Sequence, residues 1–134
     1  VFGDLTITTM NIQSNPKEPG GELSPNQDAR LTDWEVTPRR TDGGTVTSPE
    51  WYNAITVYVP ANGVTDIENY IIYPEEYLDD PPFNYLFPEN GGVDPETGQS
   101  FIREALRLQL HGRIVSGKAI STTAVEAGFR FYCN

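Results

Sequence analysis

The chain has 134 residues, with Gly 12, Pro 11, hydrophobic residues at 37% and charged residues at 21%. That is one turn-rich globular domain by length, with no apolar run near the roughly 18 residues of a membrane-spanning helix. Nine basic against nineteen acidic residues give a formal charge of −10, a balance that strongly disfavours a phosphate backbone or an anionic membrane surface as a partner.

The charge is unevenly placed. No Lys or Arg lies between Arg40 and Arg103, whereas eleven acids do, from Asp42 to Glu96. The flanks are nearly balanced. The acidic middle reads as a solvated face, a cation site, or a face that meets a basic surface on a neighbouring subunit.

In chain order, residues 2–12 are rich in Thr and branched side chains and predict a strand. Leu5 and Ile7 share one face, then Met10 and Ile12 take the other parity, which predicts a bulge at Thr8-Thr9. Residues 13–28 contain Pro16, Pro19, Gly20, Gly21 and Pro25 and read as a linker loop before a body spanning 29–134. Leu31 to Val36 predicts a short strand, followed by a loop over 38–49 with a brief strand at Thr45–Thr47. Trp51 to Val59 is the strongest strand. Its two faces are both largely apolar, which predicts burial on both sides.

The turn Pro60-Ala61-Asn62-Gly63 follows. Residues 64–73 suit a strand better than a helix because of the run Tyr70-Ile71-Ile72-Tyr73. Four prolines between Pro74 and Pro88 then leave only Phe83 to Phe87 as an edge strand. Residues 101–105 could form one helical turn. Beyond it the alternation is clean: Leu106, Leu108, Leu110, Gly112 and Ile114 face one way, and Arg107, Gln109, His111 and Arg113 the other. Residues 119–125 pair back as a hairpin, and the last strand sets Phe129, Phe131 and Cys133 on one face. Seven or eight short strands between Pro/Gly loops predict an all-β fold, a β-sandwich or jelly-roll-like domain.

The chain holds little catalytic equipment. His111 is the single histidine and Cys133 the single cysteine. Neither a nucleophile elbow, nor a phosphate loop, nor zinc-ligand spacing is present. No cofactor is expected, with calcium as the one candidate ion: Asp79, Asp80, Asp94 and Glu96 could supply oxygen ligands from loops. The aromatic residues crowd the acidic half, and Trp51, Tyr52, Tyr73 and Tyr77 could stack on a glycan if they are not core. Cys133 could pair between chains in an oxidising compartment.

A leading alternating strand and a closing aromatic strand are similar to those of subunits that assemble by strand exchange, such as donor-strand pilins. The similarity is confined to the two ends. It implies that Leu5, Ile7, Met10 and Ile12 could fill a groove on the next subunit, reached across the 13–28 linker. Val1 in place of an initiator Met suggests removal of a leader from an exported protein, with both ends expected to be ordered.

The function expected from these features is a non-enzymatic structural subunit of an extracellular or virion-surface assembly, a pilus-like filament or a virion fibre or decoration protein. Its partners would be copies of itself or other subunits, held through residues 1–12, Arg103, Arg107, Arg113 and Cys133. The alternative is a carbohydrate-binding or adhesin domain.

Overall fold

A computed structural model describes residues 5–15 and 27–133. Residues 16–26 of the expected 13–28 linker and the two chain ends lie outside the described residues, and Gln13 belongs to the first strand rather than to the linker. Seven strands are described: β1 (Leu5–Gln13), β2 (Ala29–Arg40), β3 (Trp51–Val59), β4 (Val64–Tyr73), β5 (Phe101–Ile114), β6 (Ala119–Ser121) and β7 (Val125–Tyr132). They form two sheets packed face to face, an all-β sandwich. One layer is the antiparallel pair β1–β4; the other runs β3-β2-β5, with β6 and β7 both beside β5.

The inward residues of each strand explain the packing. Trp34 and Val36 of β2 and Ile102, Leu106, Leu108 and Leu110 of β5 are buried at period two, and Leu31 joins them across a break in the alternation. Trp34 is fully buried and bridges the layers. Its Nε1–H donates to the Ile72 carbonyl at 3.4 Å, and its ring lies 4.8 Å from that of Tyr70. A buried indole N–H left without an acceptor would cost the desolvation of that group, so this bond fixes the two sheets relative to each other.

β2 is twice the predicted length because it continues through Pro38. From Thr37 onward it pairs only with β5, since its ladder with β3 ends at Val36–Trp51. A proline lacking its N–H is tolerated where one edge of the strand has no ladder to complete. Near the other end, the register shifts between Leu31 and Asp33 on both sides of β2, a bulge in the central strand. Gly112 lies opposite Leu31 at this bulge. A Cβ there would sit 2.0 Å from the Arg30 carbonyl oxygen, so only glycine allows so close an approach.

β1 pairs along its length with β4 of the same chain, in unbroken register from Thr6–Ile71 to Gln13–Val64. The inward set of β1 changes parity between Ile7 and Met10 as predicted. The ladder irregularity itself falls at Leu5/Thr6 and not at Thr8-Thr9. β4 changes parity at the same level, between Ile67 and Tyr70, where Asn69 takes a left-handed φ of 51°. Both strands therefore turn together and the ladder survives.

Several expectations are corrected. β3 is buried on one face only: Val57 and Val59 point to the core, while Tyr52 and Tyr58 remain 63% and 55% exposed. The aromatic outer side is wettable because each hydroxyl finds a carboxylate, Glu50 for Tyr52 and Asp28 for Tyr58. Thr45–Thr47 forms no strand; Glu96 holds Thr45 and Val46 instead. Residues 101–105 belong to β5, and their inward Ile102 and Glu104 continue its period-two pattern. Phe83–Leu86 is a 3-10 turn and not an edge strand. It follows Pro82 in a helical conformation, and its i, i+3 spacing buries Phe83 and Leu86 together, with Phe83 4.3 Å from Phe131. The one α-helical turn, α1 (Glu75–Leu78), buries Leu78 after Pro74.

The β3–β4 connection turns at Pro60–Gly63, where the Gly63 N–H donates to Pro60 O at 2.9 Å. The two strands enter different sheets. Side chains of β4 nonetheless cover the outer edge of β3: Thr65 Oγ1 donates to Tyr58 O at 2.7 Å and Tyr70 OH to Ala54 O at 3.3 Å. Asn53 Nδ2 donates to the Tyr70 hydroxyl at 2.9 Å and holds it in place.

Candidate functional site

The feature that stands apart from ordinary sandwich packing is the solvent face of the larger sheet. Alternation puts Arg30 and Arg39 of β2, Arg103, Arg107 and Arg113 of β5, and Arg130 of β7 on this face, all exposed. These are six of the seven arginines in the chain. Asp33, Glu35 and Glu126 are the acids of the same strand faces. Two arginine pairs lie directly opposite across neighbouring strands: Arg30–Arg113 and Arg103–Arg130. Like charges so placed repel each other.

Aromatic rings partly organise the cations. The Arg103 and Arg130 guanidinium carbons lie 5.2 and 5.6 Å from the Phe101 ring centre, and Arg130 lies 5.5 Å from that of Tyr132. Arg39 meets Glu126 at 2.5 Å with both side chains largely exposed, and Arg113 donates to the Gly117 carbonyl at 2.8 Å.

Seven of the acids occupy the other side of the molecule. Asp66 and Glu68 on β4, Glu75 and Glu76 on α1, and Asp79, Asp80 and Glu89 after it are all exposed. The segment carrying 75–89 packs through Leu78, Phe83 and Leu86 into the core beside Phe131, on the inner side of the larger sheet. The sandwich is thus cationic on one outer face and acidic on the opposite layer.

Within the arginine face, His111 sits between two partners. Its Nε2 is 2.5 Å from Glu35 Oε2 and its Nδ1 2.5 Å from Ser121 Oγ. The residues fall in the order of a hydrolase relay, which the sequence did not reveal because Glu35 is 76 positions away. The serine is exposed on β6 and lines a cavity together with Met10, Ile12 and Thr122. Cys133 is half-buried against the core with Phe129, while the His111 ring nitrogens are engaged elsewhere.

The carboxylates considered for calcium divide into two places. Asp94 is buried and bonds Arg40 Nη2 at 2.6 Å, while Arg40 Nε bonds Asp42 at 2.8 Å. Glu96 accepts from the Thr45 hydroxyl at 2.7 Å and from the Thr45 and Val46 N–H groups. An internal guanidinium therefore stands where a loop cation would have been held. Asp79 and Asp80 lie on the surface after α1. Among the described residues, no group of three or more His, Cys, Asp or Glu converges on a metal position.

Burial pushes Asp42 up, but the Arg40 guanidinium and the Arg103 and Gly44 N–H groups outweigh it and hold the carboxyl at about 2. Asp94 is lowered by the same contest between burial and Arg40. Glu104, fully buried on β5, is raised by desolvation, although it accepts from Ser48 N–H at 3.1 Å and Ser48 Oγ at 2.8 Å. A sequence signal for this cluster existed: Arg40 and Glu104 share the inward parity of their strands, and an inward charge requires partners.

The four aromatics considered for glycan stacking do not form one platform. Tyr73 is fully buried, edge-on to Tyr77 at 5.5 Å between ring centres. Trp51 packs inward while Tyr52, the next residue, points to solvent. Leu5, Ile7, Met10 and Ile12 pack on their own core, so burial of that stripe needs no neighbour. Arg107 and Arg113 do share the exposed face. Comparison with known protein families, with curated proteins and with solved structures yields no match from which an activity could be carried over.

Proposed function

We propose that this protein is a non-enzymatic structural subunit of an extracellular or virion-surface assembly, built from copies of itself as a filament, fibre or decoration layer. The observation that carries this reading is the segregation of charge: six exposed arginines on one sheet face and seven exposed acids on the opposite layer. A monomer gains nothing from that separation in water beyond solubility, whereas stacked subunits neutralise each other. The test is light scattering and electron microscopy of the purified native protein across a concentration series. Growth into regular polymers supports the reading; a monomer at every concentration overturns it. The non-enzymatic part is tested separately with a chromogenic ester: turnover that Ser121→Ala abolishes would overturn it.

A further inference from the structure

The charge pattern also specifies how two copies would meet. We infer that the arginine face of one copy receives the acidic layer of the next, in a front-to-back contact that repeats without closing on itself. The inference rests on the assembly reading above and gives it an interface and a direction.

The receiving sites are the two opposed arginine pairs, Arg103–Arg130 and Arg30–Arg113. In the isolated chain each pair sets two like charges at directly opposite positions of a ladder, an arrangement that lowers the stability of the sheet. A carboxylate placed between them relieves the repulsion and accepts the forked N–H donors of both. Arg103 and Arg130 are held for this by Phe101 and Tyr132, so less side-chain freedom is lost on docking. The incoming carboxylates are those of α1 and the turn after it, Glu75, Glu76, Asp79 and Asp80. They are exposed and lie in a segment, 41–102, that contains no Lys or Arg.

Geometry decides the outcome. The two patches lie on opposite sides of one sandwich, so they cannot neutralise each other within a chain. They are also different surfaces, which rules out the self-complementary contact of a two-fold dimer. A heterologous contact propagates as an open chain unless its rotation closes a ring.

The experiment uses two full-length charge-reversed proteins. Arg103→Glu/Arg130→Glu loses the receiving face, and Glu75→Lys/Glu76→Lys/Asp79→Lys/Asp80→Lys loses the incoming one. Each alone should stay monomeric under conditions where the wild type polymerises. Mixed together, the two hold one unaltered pair of surfaces and one pair with both signs exchanged, so the mixture should associate in analytical ultracentrifugation where neither variant alone does. Polymerisation of either variant alone, or a mixture that stays monomeric while the wild type polymerises, overturns the front-to-back contact and leaves the assembly reading standing. A wild type that never polymerises overturns the assembly reading itself. Binding of heparin by such a monomer, lost in Arg103→Glu/Arg130→Glu, would assign the face to an anionic polysaccharide instead.

Should reversal unfold the protein, the neutral change Arg103→Gln/Arg130→Gln decides the matter. It should leave the melting temperature of the monomer equal or higher while raising the concentration needed for assembly at least about tenfold. A lower melting temperature with unchanged assembly overturns the inference.

Discussion

Replacing Arg40 by methionine would leave the buried Asp94 and the partly buried Asp42 without the cation that each of them bonds. Removing one partner of a buried charge network costs on the order of 3–5 kcal/mol. Urea unfolding of Arg40→Met should therefore show a loss of that size, and a change below about 1 kcal/mol would show that the acids are well solvated. Gly44 belongs to the same unit, since a Cβ there would stand 2.2 Å from the Arg40 guanidinium carbon. The pH response follows from two opposed shifts. Asp42, held at about 2 in the folded protein, contributes stability that is complete above its ordinary value near 3.8 and is lost as pH falls towards 2. That contribution is on the order of 2 kcal/mol, and Asp42→Asn should flatten the acid limb of the stability curve. Glu104 is raised, so its contribution is present below the ordinary carboxylate value and is lost as pH rises through its folded value. Glu104→Gln should therefore gain stability relative to wild type between pH 4 and pH 7 in paired urea titrations. An unchanged difference would show that the buried carboxyl is not raised.

At the scale of elements, β2 and β5 form the centre of the larger sheet, and the bulge at Leu31/Asp33 sets the register between them. Gly112→Ala forces a methyl group against the Arg30 carbonyl oxygen. Backbone, unlike a side-chain tip, cannot swing away, so a loss of about 1–3 kcal/mol or more is expected by thermal unfolding. A neutral substitution would place the bulge elsewhere. The strands themselves were legible in the sequence wherever alternation was strict. The bounds of Trp51–Val59 and the buried face of Leu106–Ile114 match the structure, whereas the apolar outer side of Trp51–Val59 is wet because Tyr and Ala do not report which face is covered. Residues 75–90 were not legible. There the burial of Leu78, Phe83 and Leu86 arises from single turns punctuated by prolines, which carry no period. Two of the six arginines of the candidate site were legible for the same reason: Arg107 and Arg113 lie on one polar stripe of one strand. That Arg30, Arg39 and Arg130 join them depends on strand order, which is information between segments rather than within them. The Arg40 cluster was misread as a cation site because Asp94 and Glu96 are near each other in sequence, whereas their guanidinium comes from 54 positions away.

For the whole molecule, a net charge of −10 conceals a strong separation of sign. Exposed ion pairs contribute about 0–1 kcal/mol each and are screened over about 8–10 Å at 0.1–0.15 M salt. Self-association through the arginine face should accordingly weaken in graded fashion as salt rises. The threshold concentration from light scattering at low and high sodium chloride measures this. A threshold that falls with salt would mean that apolar burial drives association.

The hydroxyls that cap Ala54 O and Tyr58 O on the outer edge of β3 have a consequence for misfolding. A bare strand edge is a template on which foreign strands add, and repeated addition yields amyloid. Thr65 and Tyr70 block that route by engaging the carbonyls an intruding strand would need. Thr65→Val/Tyr70→Phe removes both caps with little change in volume. It should leave the fold intact by circular dichroism yet shorten the lag before thioflavin-positive fibres form on agitation. Equal lag times for variant and wild type would mean that the edge is protected by its twist alone.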